Sequence, residues 1–87
     1  MTREDIDNVL GENEVTTRHI SLAESANIMM YVPIHLELDR GSFDHYYRIN
    51  VNELINSQMP VSDLDDLNNQ GWAYDSNKEN LIIYLTT

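Results

Sequence analysis

The chain has 87 residues, no cysteine, and 15 acidic against 5 basic side chains, which gives a formal net charge of −10. A chain below the ~100–200 residues of a typical domain predicts one domain over residues 1–87. The absence of cysteine excludes a disulfide framework, a thiol nucleophile and a cysteine-ligated zinc or iron–sulfur site.

The acidic charge indicates which partners the protein can bind. A strongly negative protein repels phosphate backbones and anionic lipid surfaces, so direct binding to nucleic acid or to a membrane is disfavoured. A basic protein surface would attract it instead. Residues 1–5 lack the pattern of a signal segment, and no apolar run approaches the ~18 residues needed to span a bilayer. We therefore expect a cytoplasmic protein.

The first elements follow from caps and periodicity. Thr2 as N-cap, with Asp5 at the third helical position, predicts a short helix that ends at Gly11. The apolar stripe of this helix comprises Ile6, Val9 and Leu10. The β-branched residues 15–20 then predict a first strand that ends near Ser25.

A hairpin is predicted next. Every even position between residues 28 and 38 is apolar, which is typical of a strand with one buried face, and Pro33 favours an edge position for it. With a two-residue tip at Arg40 and Gly41, Leu36 faces His45 and Glu37 faces Asp44 on the returning strand. The core of this hairpin is predicted to contain Ile34, Leu36, Tyr47 and Ile49.

Two short helices and a second hairpin complete the predicted fold. Asn52 is the expected cap of a helix that stops at Pro60, and Ser62 with Asp65 predicts a further helix that ends at Gly71. Residues 72–74 and 80–85 are predicted to form a closing hairpin around a polar loop. The predicted class is α+β, an antiparallel sheet of about four or five strands with short helices packed on one face.

No catalytic constellation is present, so the prediction is a protein without enzymatic activity and without a cofactor. The glycines are isolated, which excludes the phosphate-binding loops, and no serine lies in a G-x-S-x-G motif. His35, Glu37 and Asp44 lie near one another on the polar face of the predicted hairpin and could ligate a metal. The favoured interpretation is that Arg40 or Arg48 neutralises these carboxylates, so no metal site is predicted.

The acidic clusters are the main functional signal. The predicted partner-binding residues are Asp63, Asp65 and Asp66 on the last helix, then Glu37, Asp39 and Asp44 around the hairpin. A rigid array of carboxylates imitates the spacing of phosphates, and phage inhibitors of restriction and CRISPR nucleases work by this physical principle. The function hypothesis is an inhibitor that occupies the basic groove of a nucleic-acid-binding protein or nuclease.

An alternative hypothesis treats the charge as a means of solubility. The protein is then an interaction module or a homodimer that uses an exposed sheet edge near Tyr31 and Pro33. The position of the acidic clusters separates the two hypotheses. Clusters gathered on one face favour the inhibitor, and an open edge favours the module.

Overall fold

The computed structural model of the protein describes residues 1–15, 17–18 and 25–85. The helices are α1 (Arg3–Leu10), α2 (Ala26–Met29), α3 (Val51–Ile55) and α4 (Leu64–Gln70), with a 3₁₀ turn at Val61–Asp63. The strands are β1 (Thr17–Arg18), β2 (His35–Leu38), β3 (His45–Asn50), β4 (Ala73–Tyr74) and β5 (Asn80–Leu85). The described part of the chain is thus a small α+β fold.

Strand β5 lies at the centre of the sheet. It pairs antiparallel with β3 on one side, and on the other side it pairs antiparallel with β4 and parallel with β1. Strand β2 pairs antiparallel with β3 and forms an edge of the sheet. The α+β class and the closing hairpin are confirmed, and the short β1 adds one parallel pairing to an otherwise antiparallel sheet.

The two faces of the sheet differ in what covers them. Ile49, Leu81 and Ile83 lie on the inner face and are fully buried, because they pack in one cluster with the helices. The helical members of this cluster are Ile6, Leu10, Ile28, Val51, Leu54, Leu64 and Leu67. Residues Tyr46 and Tyr84 alternate with the inner set and lie on the outer face, where they are half-buried.

Helix α1 forms as its sequence predicts. The Thr2 hydroxyl accepts a hydrogen bond from the backbone N–H of Asp5 at 3.2 Å, and the Asp5 carboxylate accepts one from the backbone N–H of Thr2 at 2.8 Å. This reciprocal pair is a capping box, which satisfies donors that a helix leaves open at its start. Ile6 and Leu10 are buried, as the apolar stripe requires.

The strand predicted over residues 28–38 is wrong in its first half. Residues 26–29 form α2, and strand β2 begins only at His35. Ile28 and Val32 are buried while Met30 is 77% exposed. Apolar residues four positions apart suit one face of a helical turn as well as one face of a strand, so alternation over even positions did not distinguish the two. The strand predicted over residues 15–20 is observed at Thr17–Arg18, and Thr16 and residues 19–24 lie outside the described residues.

The hairpin register differs from the prediction by two residues. Leu36 pairs with Tyr47 instead of the predicted His45, and Glu37 pairs with Tyr46 instead of the predicted Asp44. The Asp39 carboxylate accepts a hydrogen bond from the backbone N–H of Gly41 at 2.9 Å, which builds a wider loop over residues 40–43. A shift of two residues preserves the faces of both strands.

The edge position of β2 changes which hairpin residues are core. Ile49 is fully buried and Ile34 and Tyr47 are partly buried against the core, whereas Leu36 is 60% exposed. The placement of Leu36 in the core is therefore wrong. Leu36 lies on the inner face, but the edge strand extends beyond the helices that cover its neighbours.

The helix caps also differ from the prediction in part. Asn50, rather than Asn52, caps α3, and its side-chain oxygen accepts a hydrogen bond from the backbone N–H of Glu53 at 3.0 Å. The Ser62 side chain makes no capping bond, because a 3₁₀ turn leads into α4. The Gly71 cap is confirmed: its φ of 97° lies in the left-handed region, where a side chain is strained.

Candidate protein-binding surfaces

Helices α1 and α4 pack against each other, and both helices carry acidic side chains. Asn13, which follows α1, fixes this arrangement by donating hydrogen bonds from its side-chain amide to the Asn68 side chain at 2.8 Å and to the Trp72 carbonyl at 3.1 Å. Shallow depressions between the two elements are lined by Asp7, Glu12, Glu14 and Asn68, among others. Carboxylates therefore border the line of contact between the helices.

The acidic side chains of this region project outward. Leu64 and Leu67 are buried on one side of α4, which turns Asp65 and Asp66 to the exposed side. Asp65 lies one helical turn before Asn68 and thus on the same face as the contact with α1. We call the exposed carboxylates of the two helices and the following loop the α1–α4 face. Its members are Glu4, Asp7, Glu12, Glu14, Asp65 and Asp66.

Among the predicted residues on the last helix, Asp63 differs from its neighbours. It lies in the 3₁₀ turn and is half-buried, whereas Asp65 and Asp66 are exposed. Asp65 and Asp66 lie in the first turn of α4, where negative charge interacts favourably with the helix dipole. No carboxylate of the α1–α4 face forms an ion pair within the described residues, although that of Asp7 accepts a hydrogen bond from the Tyr74 hydroxyl.

The hairpin acids are bound internally instead. Glu37 Oε1 accepts hydrogen bonds from Arg48 Nε at 3.2 Å and from Arg48 Nη2 at 3.0 Å. This is the one ion pair within the described ranges. The prediction that Glu37 faces Asp44 is wrong. Arg48 neutralises Glu37, as the favoured interpretation expected, but it forms no ion pair with Asp44. Asp44 is exposed beside the loop.

Asp39 is held by the outer face of the sheet. Its carboxylate accepts hydrogen bonds from the Tyr84 hydroxyl at 2.8 Å and from the backbone N–H of Gly41. The Tyr84 hydrogen bond, followed by that of Gly41, lowers the pKa of Asp39 below its ordinary value. The same Tyr84–Asp39 bond, with partial burial, raises the pKa of Tyr84. Glu37 and Asp39 thus lie with the outer face, opposite the helices, and are separate from the α1–α4 face.

A groove on the outer face contains residues that were not predicted as a site. It encloses about 600 Å³ and has Tyr46, Arg48, Ile82 and Tyr84 along its floor. Asp39 and Arg40 border it from the hairpin loop, and Asp75 and Ser76 border it from the loop before β5. We call this the outer groove. The alternation in the sequence predicts that Tyr46 and Arg48 share one face of β3, but it does not predict the pairing of β3 with β5 that forms the groove.

Neither the described residues nor comparison with known proteins identifies a further site. The described residues contain no group of three or more histidine, aspartate or glutamate side chains placed to hold a metal ion. No helix in the described part of the chain has both the length and the apolar character that crossing a membrane requires. No known family model, curated protein or solved structure matches this chain.

Proposed function

We propose that this protein acts by stoichiometric binding to a basic surface, and that it occupies the nucleic-acid-binding groove of a partner protein. The observation that carries the proposal is the α1–α4 face, where carboxylates of two sequence-distant clusters lie on packed helices. Rigid placement lowers the entropic cost of binding, since the charges need no ordering when the partner arrives. Catalysis, cofactors and direct contact with nucleic acid play no part in this mode of action.

Charge makes a nucleic-acid-binding groove the best partner for such a face. Grooves of this kind present arginine and lysine side chains that neutralise phosphates, and carboxylates form charge-assisted hydrogen bonds with the same groups. The net charge of −10 would accelerate the encounter at low salt. Inhibitors of restriction and CRISPR nucleases would be examples of proteins with this mode of action.

The contact surface in this proposal differs from the sequence hypothesis in two respects. Asp65 and Asp66 remain contact residues, and Glu12 is added because it lines a depression with Asn68 of α4. Glu37 and Asp39 leave the contact surface because they lie with the outer face of the sheet, opposite the helices. Asp44 lies outside the α1–α4 face and serves as a control position.

Two variants with the same net charge test the proposal. The first carries Glu12→Gln, Asp65→Asn and Asp66→Asn, and the second carries Asp44→Asn, Glu53→Gln and Glu79→Gln at exposed carboxylates elsewhere. Each variant is used as bait beside the wild type in affinity capture from a host lysate. Proteins captured by the wild type are then purified, and their binding to labelled double-stranded DNA is measured with and without the bait.

The expected result is a partner that binds the wild type and the second variant but loses affinity for the first by about tenfold or more. DNA should compete with the bait for this partner. If both variants lose affinity equally, net charge rather than the α1–α4 face drives binding. If DNA and the bait bind the partner simultaneously, the occupied surface is not its nucleic-acid groove.

Strand β2 supports a second candidate function, an interaction module or homodimer. The backbone N–H of Asp39 donates to the Asp44 carbonyl of the returning chain. Every second residue of an antiparallel strand bonds to the partner strand, so the backbone N–H and C=O groups of Leu36 and Leu38 point away from β3. These side chains are 60% and 48% exposed. An antiparallel β2–β2 pair would join both edges and cover both leucines. Sedimentation equilibrium tests this candidate function. It requires that the wild type is a dimer and that Leu38→Lys is a monomer.

A further inference from the structure

We infer that the outer groove is a binding site for the guanidinium group of an arginine side chain presented by a partner protein. This site lies on the face of the sheet opposite the helices, so it is independent of the α1–α4 face. The inference rests on the shape of the groove, on its aromatic floor and on the charges that border it.

The floor of the groove is held rigid by a chain of hydrogen bonds. Arg48 donates through Nη1 to the side-chain oxygen of Asn80 at 3.2 Å, while its other donors bind Glu37. Asn80 in turn donates through its side-chain amide to the Asp75 carboxylate at 2.9 Å. The chain crosses β2, β3 and β5, and it fixes the position of the Arg48 guanidinium group. Glu37 neutralises Arg48, which therefore repels an incoming cation only weakly.

Two tyrosine rings supply the surface on which a planar cation can stack. The ring centroids of Tyr46 and Tyr84 are 5.4 Å apart, with an angle of 47° between the ring planes. The Tyr84 hydroxyl is anchored to Asp39, so the orientation of this ring is fixed before a ligand arrives. Aromatic faces carry negative potential and attract cations, arginine more often than lysine.

The borders of the groove supply carboxylates for the edge of the same cation. Asp39 stands on the hairpin side and Asp75 on the side of the loop before β5. A guanidinium group has several N–H donors in one plane, so it can stack on a ring and donate to carboxylates at its edge. An ammonium group makes only point contacts. The net charge of −10 opposes an anionic ligand. Arg40 borders the groove without an ion pair in the described residues, so it weakens the binding of arginine more than Arg48 does.

The experiment uses N-acetyl-arginine amide as the probe and follows the ring resonances of Tyr46 and Tyr84 by NMR. N-acetyl-lysine amide tests the preference for a planar cation, and N-acetyl-citrulline amide tests the need for charge at nearly constant shape. We expect saturable shifts of both rings with the arginine probe in the millimolar range, weaker binding of the lysine probe and no saturable shift with citrulline.

Variants then locate the site. Asp39→Asn keeps an acceptor for the Gly41 N–H but removes the charge, and it should raise the dissociation constant about two- to fivefold. Asp44→Asn, with the same charge change outside the groove, should alter it less. Arg40→Gln should lower the dissociation constant, an effect of opposite sign that a loss of folding cannot imitate.

Three results would overturn the inference. The first is equal binding of the citrulline and arginine probes. The second is an equal change of the dissociation constant in Asp39→Asn and Asp44→Asn, and the third is no shift of either tyrosine ring at the highest concentration of the arginine probe. The variant with Glu12→Gln, Asp65→Asn and Asp66→Asn should bind the arginine probe nearly as well as the wild type. Failure of this site would therefore leave the proposed function of the α1–α4 face untouched.

Discussion

At the scale of single residues, Tyr74 links the first helix to the sheet. Its hydroxyl donates to Asp7 at 2.7 Å, and the guanidinium of Arg3 and the ammonium of Lys78 each lie 5.9 Å from its ring centroid. Arg3 also donates to the Lys78 carbonyl at 2.9 Å. Burial, then the hydrogen bond to Asp7, raises the pKa of Tyr74 to about 12. The native state thus holds this proton more tightly than the unfolded chain does.

The raised pKa predicts how stability depends on alkaline pH. Below the unfolded pKa of ~10 the stabilisation is fully present, and it declines as pH rises towards the native pKa of about 12. Tyr74→Phe should cost about 1–2 kcal/mol at neutral pH, because Asp7 loses its donor. Urea unfolding from pH ~7 to ~11 should show the gap between the two proteins narrowing. The exposed Tyr31→Phe is the control, and a constant gap would contradict the prediction.

At the scale of secondary-structure elements, coverage by helices decides which strand positions are core. Ile49 in β3 is fully buried under the helices, while Leu36 in the neighbouring edge strand is 60% exposed although it lies on the same face. The hydrophobic contribution of a side chain follows the area it removes from water. Two aliphatic residues that look equivalent in the sequence therefore differ in their effect on stability.

This difference can be measured with two alanine variants. Ile49→Ala should lower the free energy of unfolding by about 2–4 kcal/mol, since it leaves a cavity in a filled core. Leu36→Ala should change it by less than about 0.5 kcal/mol in dilute solution. Urea unfolding monitored by circular dichroism gives both values. A large loss for Leu36→Ala would mean that β2 is covered in solution, as it would be in a β2–β2 dimer.

At the scale of the whole molecule, the charge distribution affects both the stability of the fold and the rate of association with partners. With a net charge of −10, the carboxylates of the α1–α4 face repel one another across packed helices. Salt screens such repulsion over a Debye length of ~10 Å at 0.1 M. The ion pair of Glu37 with Arg48 is too isolated to offset this effect.

Salt should therefore stabilise the fold at neutral pH. Raising the sodium chloride concentration from ~0.05 to ~0.5 M should raise the midpoint of thermal unfolding. The increase should be smaller for the variant with Glu12→Gln, Asp65→Asn and Asp66→Asn than for the one with Asp44→Asn, Glu53→Gln and Glu79→Gln. Equal increases in the two variants would show that the repulsion is spread over the whole surface.

Local chemistry explains what could be predicted from the sequence. The capping box of α1, the left-handed Gly71 and the closing hairpin around its polar loop depend on residues a few positions apart. The α+β class follows from the same signals. The acidic character of the candidate binding surface also needed only the composition, because net charge does not depend on folding.

The tertiary structure decided the features that depend on distant contacts. Packing placed α1 and α4, which both carry carboxylates, against each other, and pairing of β3 with β5 placed Tyr46 beside Tyr84 in the outer groove. Arg48 bound Glu37 because a wider loop moved the hairpin register by two residues. Periodicity reports which side of an element is apolar, but not which other element will cover it. That choice is made by the packing of the whole chain, since the free energy of burial depends on the partner surface as well as on the residue.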